Sequence, residues 1–151
     1  MIDHPDRLVP LEAVHNFRDL GGYVTSDGRR VSWRKVFRAD GLYRLTKNDV
    51  ETLRPLGLRT VIDLRTAEEL NERGTFPVAD YPVDFHHFSI IDRTWDMEEA
   101  RQWADQQSEF LRGKYHLMLQ QGGHYVGAAL RVIADAQSAP VVFHCAAGKD
   151  R

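Results

Sequence analysis

Cysteine is nearly absent from this sequence, since Cys145 is the only one among 151 residues. A single thiol cannot form an internal disulfide, so an oxidising compartment is not required. Residues 1–7 are polar and show no apolar core of a secretory signal peptide. No apolar run approaches the length of a membrane span. A cytoplasmic protein without a membrane span is therefore the default expectation.

The chain also lacks an excess of positive charge, with a formal net charge of −2 at pH 7. Proteins that bind nucleic acids generally carry a basic excess that displaces counterions from phosphates. We therefore expect no nucleic-acid partner. One local stretch is basic, and a solvated hairpin face is favoured there over the wall of an anion-binding cleft. Its members are Arg29, Arg30, Arg34, Lys35 and Arg38.

No set of side chains has the spacing of a zinc site, although the chain has seven histidines. His86 and His87 are adjacent and would point to opposite faces of a strand. We expect neither a metal nor a cofactor.

Length and composition are those of one globular domain. The chain has 42% hydrophobic and 28% charged residues, which is ordinary for such a domain. We predict a single domain over residues 1–151. Strand and helix patterns alternate along it, which favours an α/β layered fold.

The strand signals begin with a hairpin predicted over residues 23–38, around the turn Asp27-Gly28. Further strands are predicted from runs of apolar and β-branched residues. These runs lie at 59–64, 83–88 and 140–143.

The helix signals begin with Thr46 and Thr66, which are expected to cap two short helices. Residues 94–120 are predicted to be mainly helical. Gly122-Gly123 is expected to interrupt this segment before a further helix that leads to the strand at 140–143.

The last eight residues place Cys145 directly after the final predicted strand and six positions before Arg151. A cysteine attacks as the thiolate, which amide dipoles and cations stabilise. Backbone N–H groups that curl around one point form an anion-binding nest. Arg151 offers a planar fork that can hold two phosphoryl oxygens. The pattern therefore indicates a phosphate-binding loop with Cys145 as the nucleophile.

The remaining loop residues have expected roles as well. Gly148 should let the backbone come close to the phosphate. His144 should brace the loop through hydrogen bonds to the backbone. The residues expected to surround the phosphate are Ala146, Ala147, Gly148, Lys149, Asp150 and Arg151.

The run HCAAGKDR at residues 144–151 resembles the HCxxGxxR signature of cysteine-dependent protein tyrosine phosphatases. Its fuller form is similar to that of a bacterial tyrosine/serine branch, the IphP-type phosphatases. Further stretches agree with that branch in the same order. They are NFRDLGGY at 16–23, FRADGL at 37–42 and VIDLRT at 61–66.

The resemblance implies a protein tyrosine phosphatase-like fold with a central, mostly parallel sheet flanked by helices. It implies a hydrolase that dephosphorylates phosphotyrosine through a phosphocysteine, and leaves dual specificity for phosphoserine and phosphothreonine open. The substrate is then a phosphoprotein or phosphopeptide, and inorganic phosphate is the product. Some relatives are exported without an ordinary signal, so export stays an alternative to the cytoplasm.

Ester cleavage by a thiolate also needs a proton for the departing oxygen, and the same carboxylate can later activate water. Three aspartates are candidates. Asp63 ends the strand beside the loop, Asp150 lies within the loop, and Asp92 follows the next strand, where related phosphatases carry an acid on a mobile loop. Asp63 and Asp150 are favoured over Asp92. Structural interpretations stay open for each, such as holding Arg65 or orienting Arg151.

Other interpretations stay open too. Arg18 and Asp19 are expected to form a structural clamp in the 16–23 element, since ion pairs more often position than catalyse. Lys149 adds a cation to the loop, as in phosphoinositide phosphatases with a similar signature, so a lipid substrate is an alternative. A catalytically inactive phosphate-binding or phosphoprotein-binding module is another. His144 and the 16–23 element argue against a rhodanese-like sulfur carrier or an arsenate reductase.

In the resembling family, the signature arginine is followed by Ser or Thr, Gly and several helices. This sequence stops at Arg151. We therefore expect an incomplete phosphatase domain that lacks its C-terminal helices. We also expect a complementary C-terminal segment to cover apolar surface of the sheet.

Overall fold

The computed structural model describes residues 4–94 and 107–151. The strands of this part of the chain are β1 (Arg18–Asp19), β2 (Val36–Ala39), β3 (Thr60–Asp63), β4 (Asp84–His87) and β5 (Val141–His144). Its α-helices are α1 (Lys47–Leu53), α2 (Ala67–Arg73) and α3 (Gln107–Ala134). Short 3-10 turns occupy Pro5–Arg7, Leu42–Arg44 and Arg54–Leu56.

The strands form one sheet in the order β1-β2-β5-β3-β4. The last four strands in this order run parallel, and β1 is antiparallel to β2. His144, at the end of β5, lies opposite Ala39 of β2 and Asp63 of β3. The predicted α/β fold with a mostly parallel central sheet is therefore confirmed. The register also puts the segment after β5 between the carboxyl ends of two neighbouring strands.

Both faces of the sheet are covered, since successive residues of a strand point to opposite faces. Val61 belongs to one cluster of buried side chains, together with Phe37 and with Leu53 of α1. Ile62 belongs to the other cluster, which includes Met118 of α3. The sheet thus lies between α1 on one side and α3 on the other, as parallel sheets require.

The two predicted helix caps are confirmed. Thr46 accepts a hydrogen bond from the backbone N–H of Asp49, and Thr66 accepts one from Glu69. In both cases the acidic side chain bonds back to the N–H of the threonine, which completes a capping box. These signals are local in the sequence, which is why they could be read without the fold.

The predicted break at Gly122-Gly123 is wrong, because α3 continues through both glycines to Ala134. A Cβ on Gly122 would lie 2.2 Å from the carbonyl oxygen of Ile90. Gly122 therefore permits close packing of the helix against the segment after β4, and it does not end the helix. The first part of the predicted 94–120 helix falls at 95–106, outside the described residues.

The predicted hairpin over 23–38 is only partly confirmed. The turn is present, with Gly28 at a φ of 81° and the N–H of Thr25 donating to the carbonyl of Arg29 at 2.9 Å. Regular pairing is limited to an isolated bridge between Val24 and Arg30. The strand β2 begins later, at Val36, and pairs with β1 and β5.

Within the described residues, no helix is both long enough and apolar enough to cross a membrane. The cytoplasmic location and the single-domain boundaries of 1–151 stay predictions.

Asp49 links α1 to the segment that leads into β1. Its carboxylate accepts hydrogen bonds from the backbone N–H groups of Glu12 at 2.5 Å and of Ala13 and Thr46 at 3.2 Å each. Burial would raise the pKa of Asp49, but these N–H donors outweigh it and lower the pKa below its ordinary value. The folded state therefore favours the ionised carboxylate.

We predict that Asp49 makes stability depend on acid pH. A carboxyl with a lowered folded pKa stabilises fully above its unfolded pKa of about 3.9, and this contribution is lost as pH falls through the folded pKa. Asp49→Asn should lower the free energy of unfolding at pH 7 by about 1–3 kcal/mol. It should also make the decline below about pH 4 shallower.

Urea unfolding monitored between pH 3 and pH 7 tests this prediction. The exposed Asp92 provides a matched control, and Asp92→Asn should leave the free energy of unfolding at pH 7 nearly unchanged. If the free energy of unfolding of Asp49→Asn declined below about pH 4 as steeply as that of the unsubstituted protein, the role assigned to this carboxylate would be contradicted.

Candidate active site

The segment after β5 curls back so that its own backbone faces the cysteine. Cys145 is buried, with 3% of its surface exposed. Its Sγ accepts a hydrogen bond from the backbone N–H of Gly148 at 3.2 Å. The loop thus has the local geometry of an anion-binding nest around Cys145.

Donors outside the loop hold its carbonyl groups. The N–H of Gly41 donates to Ala146 O at 3.0 Å. Asn16 Nδ2 donates to the carbonyls of Ala147 and Gly148 at 3.1 and 3.3 Å. Arg38 Nη2 donates to Gly148 O at 2.5 Å and to the next carbonyl at 3.2 Å.

In a trans peptide the C=O and the following N–H point in opposite directions. Because the carbonyls of residues 146–149 face donors outside the loop, the N–H groups that follow them face the other way. The Gly148 N–H to Cys145 bond is one direct instance. The outer donors therefore set the direction of the inner amides.

Gly148 has two reasons to be glycine. Its φ of 65° lies in the left-handed region. A Cβ there would lie 2.5 Å from the carbonyl oxygen of Ala39 and 2.7 Å from the backbone nitrogen of Asp40. In the structure the backbone of Gly148 thus comes close to the end of β2. The sequence interpretation of Gly148 included only a close approach to the phosphate.

Arg151 is held by Glu69 in a two-pronged ion pair. The two contacts are Nη1 to Oε2 at 2.6 Å and Nη2 to Oε1 at 3.0 Å. Burial would lower the pKa of Arg151, but Glu69 and Cys145 outweigh it and raise the pKa. Burial would likewise raise the pKa of Glu69, while hydrogen bonds from Arg151 and the Thr66 N–H lower it. Both groups are therefore charged at neutral pH, and the planar guanidinium is fixed in orientation.

A buried group of three side chains lies beside the loop. Asp63 and Arg65 are fully buried and His144 is 1% exposed. Arg65 Nη2 lies 2.6 Å from Asp63 Oδ2, and Arg65 Nε lies 3.0 Å from Oδ1. His144 Nε2 lies 3.3 Å from Asp63 Oδ2, and its Nδ1 lies 3.3 Å from the carbonyl oxygen of Cys145. The three side chains thus connect β3 to the first residues of the loop.

Burial would raise the pKa of Asp63, but its contacts with His144 and Arg65 outweigh burial and hold the pKa well below the usual range. A carboxyl of this kind carries no proton to donate near neutral pH. The geometry therefore supports a positioning role for Asp63 more than an acid role. The bracing role expected of His144 agrees with its contact to Cys145 O and stays a prediction.

The other two candidate acids differ in their surroundings. Asp150 is half-buried, and its Oδ1 accepts a hydrogen bond from the hydroxyl of Tyr115 at 2.6 Å. Asp92 is exposed and lies just before the residues outside the description. The structure thus places Asp150 and Asp63 at the loop and leaves Asp92 at the surface.

Arg18 and Asp19 both brace the 16–23 element, but through separate partners. Arg18 Nη1 donates to the backbone carbonyl of Asn16 at 3.0 Å and also to its side-chain oxygen. Asp19 accepts from the N–H groups of Gly21 and Arg34 at 2.7 Å each. The two side chains leave a strand on opposite faces, so a direct clamp between them does not form.

The basic stretch divides in a similar way. Arg38 alone among its members contacts the loop carbonyls. Lys149 of the loop itself is exposed. The other four members of the basic stretch are exposed, namely Arg29, Arg30, Arg34 and Lys35.

Sequence reasoning assigned no role at the loop to four side chains that the structure brings there. Asn16 was covered only by its motif, Arg38 by its motif and by the basic stretch, and Glu69 only as part of the helix that Thr66 was expected to cap. Tyr115 had no signal beyond its place on one face of a predicted helix. Within 4–94 and 107–151, no group of three or more metal-ligating side chains could hold a metal ion.

Comparison with known proteins shows the family of the chain. The model of the tyrosine phosphatase family matches residues 9–151. The chain belongs to the tyrosine phosphatase family. The IphP-type subdivision stays a prediction.

Two relatives indicate the range of this likeness. The chain is 30% identical over 114 residues to a tyrosine-protein phosphatase of Nostoc commune, which covers 76% of the chain and 38% of the relative. It is 26% identical over 166 aligned positions to the triple specificity protein phosphatase PtpB of Mycobacterium tuberculosis, covering 93% and 58%.

A third relative, a putative tyrosine-protein phosphatase of Cupriavidus necator, is 36% identical over 58 residues, covering 38% of the chain and 21% of the relative. The chain thus spans between 21% and 58% of these relatives. The expectation that the chain is an incomplete domain, with a complementary C-terminal segment, stays a prediction.

We predict that Gly148→Ala destabilises the protein more than a glycine replacement with a similar φ does. Gly57 is the matched control, since its φ is 62° and a Cβ there would meet nothing within 4 Å. Gly57→Ala should cost about 1–2 kcal/mol for the left-handed conformation alone. Gly148→Ala should cost at least about 1 kcal/mol more, since its Cβ would overlap the end of β2. Equal losses in urea unfolding would show that the close approach is unimportant.

Proposed function

We propose that this protein is a phosphomonoester hydrolase of the IphP type. It dephosphorylates phosphotyrosine, with phosphoserine and phosphothreonine as further substrates, through a phosphocysteine at Cys145. The observation that carries this proposal is the Gly148 N–H aimed at Cys145 Sγ, in a loop whose carbonyls are held outward and which ends at the ion-paired Arg151. Membership of the tyrosine phosphatase family supports it.

In the first step the thiolate of Cys145 attacks phosphorus and forms the S–P bond. The P–O bond to the leaving group breaks, and the departing oxygen takes a proton from a carboxylic acid. The loop N–H groups and the N–H groups of Arg151 that Glu69 does not occupy hold the three equatorial oxygens, where the charge of the transition state is spread. Glu69 keeps the fork in one orientation, so less freedom is lost when phosphate binds.

In the second step water attacks the phosphocysteine. The carboxylate left by the first step accepts a proton from this water as the new P–O bond forms. The S–P bond breaks, inorganic phosphate leaves, and the thiolate of Cys145 is restored. Neither of these two steps uses a cofactor or a metal.

Asp150 is the acid that the surroundings favour. It lies in the loop five positions after Cys145 and is half-buried, so it is not sealed from solvent as Asp63 is. Asp63 is less suited, because it is fully buried. Burial would raise its pKa, but the contacts with His144 and Arg65 outweigh burial and keep the pKa low. Asp92 is the alternative, as an acid that approaches from the surface.

The other functions are less well supported. A phosphoinositide substrate depends mainly on Lys149, which is exposed and is followed by the negative charge of Asp150. A phosphate-binding module without turnover gains no support from the names of the relatives, which are all phosphatases. The family match likewise disfavours a sulfur carrier or an arsenate reductase.

We predict that Cys145→Ser abolishes hydrolysis of an aryl phosphate, with a loss of at least about a thousandfold in kcat. Because Cys145 is the only cysteine, acid quenching during turnover should trap one phosphoryl group on this residue in the unsubstituted protein. Mass spectrometry of the quenched protein locates it.

Unchanged circular dichroism and an unchanged unfolding midpoint in Cys145→Ser would separate lost chemistry from lost folding. Turnover retained by the variant would refute the phosphocysteine mechanism. A phosphoryl group found on another residue would refute it too.

We predict that Asp150→Asn shows the signature of a missing proton donor. Its kcat/KM should fall about a hundredfold or more for alkyl phosphates, whose leaving groups need protonation. For activated aryl phosphates the fall should be less than about tenfold. Asp92→Asn should show no such difference, and Asp63→Asn should lower both classes together through loss of loop positioning. The selective signature in Asp92→Asn alone would identify Asp92 as the acid and reject Asp150.

A further inference from the structure

Tyr115 connects the long helix α3 to the loop. Its hydroxyl donates a hydrogen bond to Asp150 Oδ1 at 2.6 Å, between residues 35 positions apart. Tyr115 and Met118 lie on the same side of α3, since they are three positions apart. Met118 is buried in the cluster that covers one face of the sheet. The position of the tyrosine hydroxyl is thus set by the packing of α3 on the sheet.

The direction of this hydrogen bond limits what the Asp150 carboxyl can do. A hydroxyl that donates to Oδ1 needs a lone pair on that oxygen. If the carboxyl carries a proton while this bond persists, the proton is placed on Oδ2. The bond also restricts rotation of the carboxyl group, so that Oδ2 keeps one direction.

The state of the tyrosine agrees with its role as donor. The hydrogen bond to Asp150 raises the pKa of Tyr115 above its ordinary value, and burial and the charge of Asp150 raise it further. The hydroxyl therefore keeps its proton throughout the neutral range. A contact of 2.6 Å between a hydroxyl and a carboxylate is in the range of charge-assisted hydrogen bonds.

We propose that Tyr115 is a positioning residue for proton transfer, which orients the Asp150 carboxyl so that Oδ2 gives its proton to the leaving oxygen and later receives one from water. This inference rests on the proposed phosphatase function and on Asp150 as the acid. Tyr115 does not touch the reacting phosphate in this role. It acts through Asp150, and it makes the packing of α3 a condition for efficient proton transfer.

The test compares Tyr115→Phe, Asp150→Asn and the double variant with the unsubstituted protein. Tyr125→Phe is the matched control, because Tyr125 lies on the same helix and both tyrosines are 37% exposed. The measurement is kcat/KM, which reports the first chemical step, over phosphate esters that range from activated aryl to alkyl.

Tyr115→Phe should lower kcat/KM for alkyl phosphates about tenfold and for activated aryl phosphates less than about twofold. In the Asp150→Asn background, Tyr115→Phe should have little further effect on either class, since the group that it positions is absent. Tyr125→Phe should leave both classes unchanged.

A second measurement does not depend on turnover. NMR of protein with labelled tyrosine rings should show Tyr115 titrating at higher pH than an ordinary tyrosine, and Asp150→Asn should move this titration downward. The signal is assigned from its loss in Tyr115→Phe.

Several results would overturn the inference. Equal losses for all esters in Tyr115→Phe would mean that the tyrosine only stabilises the loop, and unchanged or increased alkyl turnover would mean that it does not position the acid. If the unsubstituted protein is active but Asp150→Asn shows no selective loss for alkyl phosphates, the role of Tyr115 is rejected and the phosphatase function stands. If no phosphoryl group is trapped on Cys145, the proposed function fails and the role of Tyr115 fails with it.

Discussion

The hydrogen bonds from outside the loop to the carbonyls of residues 146–149 are the constraint on which the site depends. Peptide geometry turns each outward carbonyl into an inward N–H. Three donors supply this constraint, the side chains of Asn16 and Arg38 and the backbone of Gly41. All three belong to segments before β3, far from Cys145 in the sequence. The direction of the loop amides is therefore a property of the folded sheet and not of the loop alone.

Charged groups fix the remaining parts of the site. Moving a charge out of water is unfavourable unless it is paired, so a buried ion pair tolerates few alternative arrangements. Asp63 with Arg65 holds the base of the loop through His144, and Glu69 holds Arg151 at the other end of it. The parallel register of β3 and β5 brings Asp63 beside His144. Sheet pairing and ion pairing thus support the same geometry.

Local signals were read correctly where a few neighbouring residues decide the structure. The capping boxes at Thr46 and Thr66 need only four consecutive residues. Gly122 shows the opposite case. Its glycine was read as a break in the helix, but contact with Ile90 requires it within a continuous helix. For Asp63 the sequence left two roles open, an acid and a partner of Arg65, and its buried ion pair supports the second.

By itself the sequence determined the alternation of strands and helices, the two capped helices, the loop motif after the last strand and the resemblance to a phosphatase family. These features depend on short patterns, in which each residue acts on its near neighbours. Only the tertiary structure decided which side chains meet at the loop. Glu69 and Arg151 are 82 positions apart, and Asn16 and Ala147 are 131 apart. Such contacts follow from strand order and register, which no local pattern encodes.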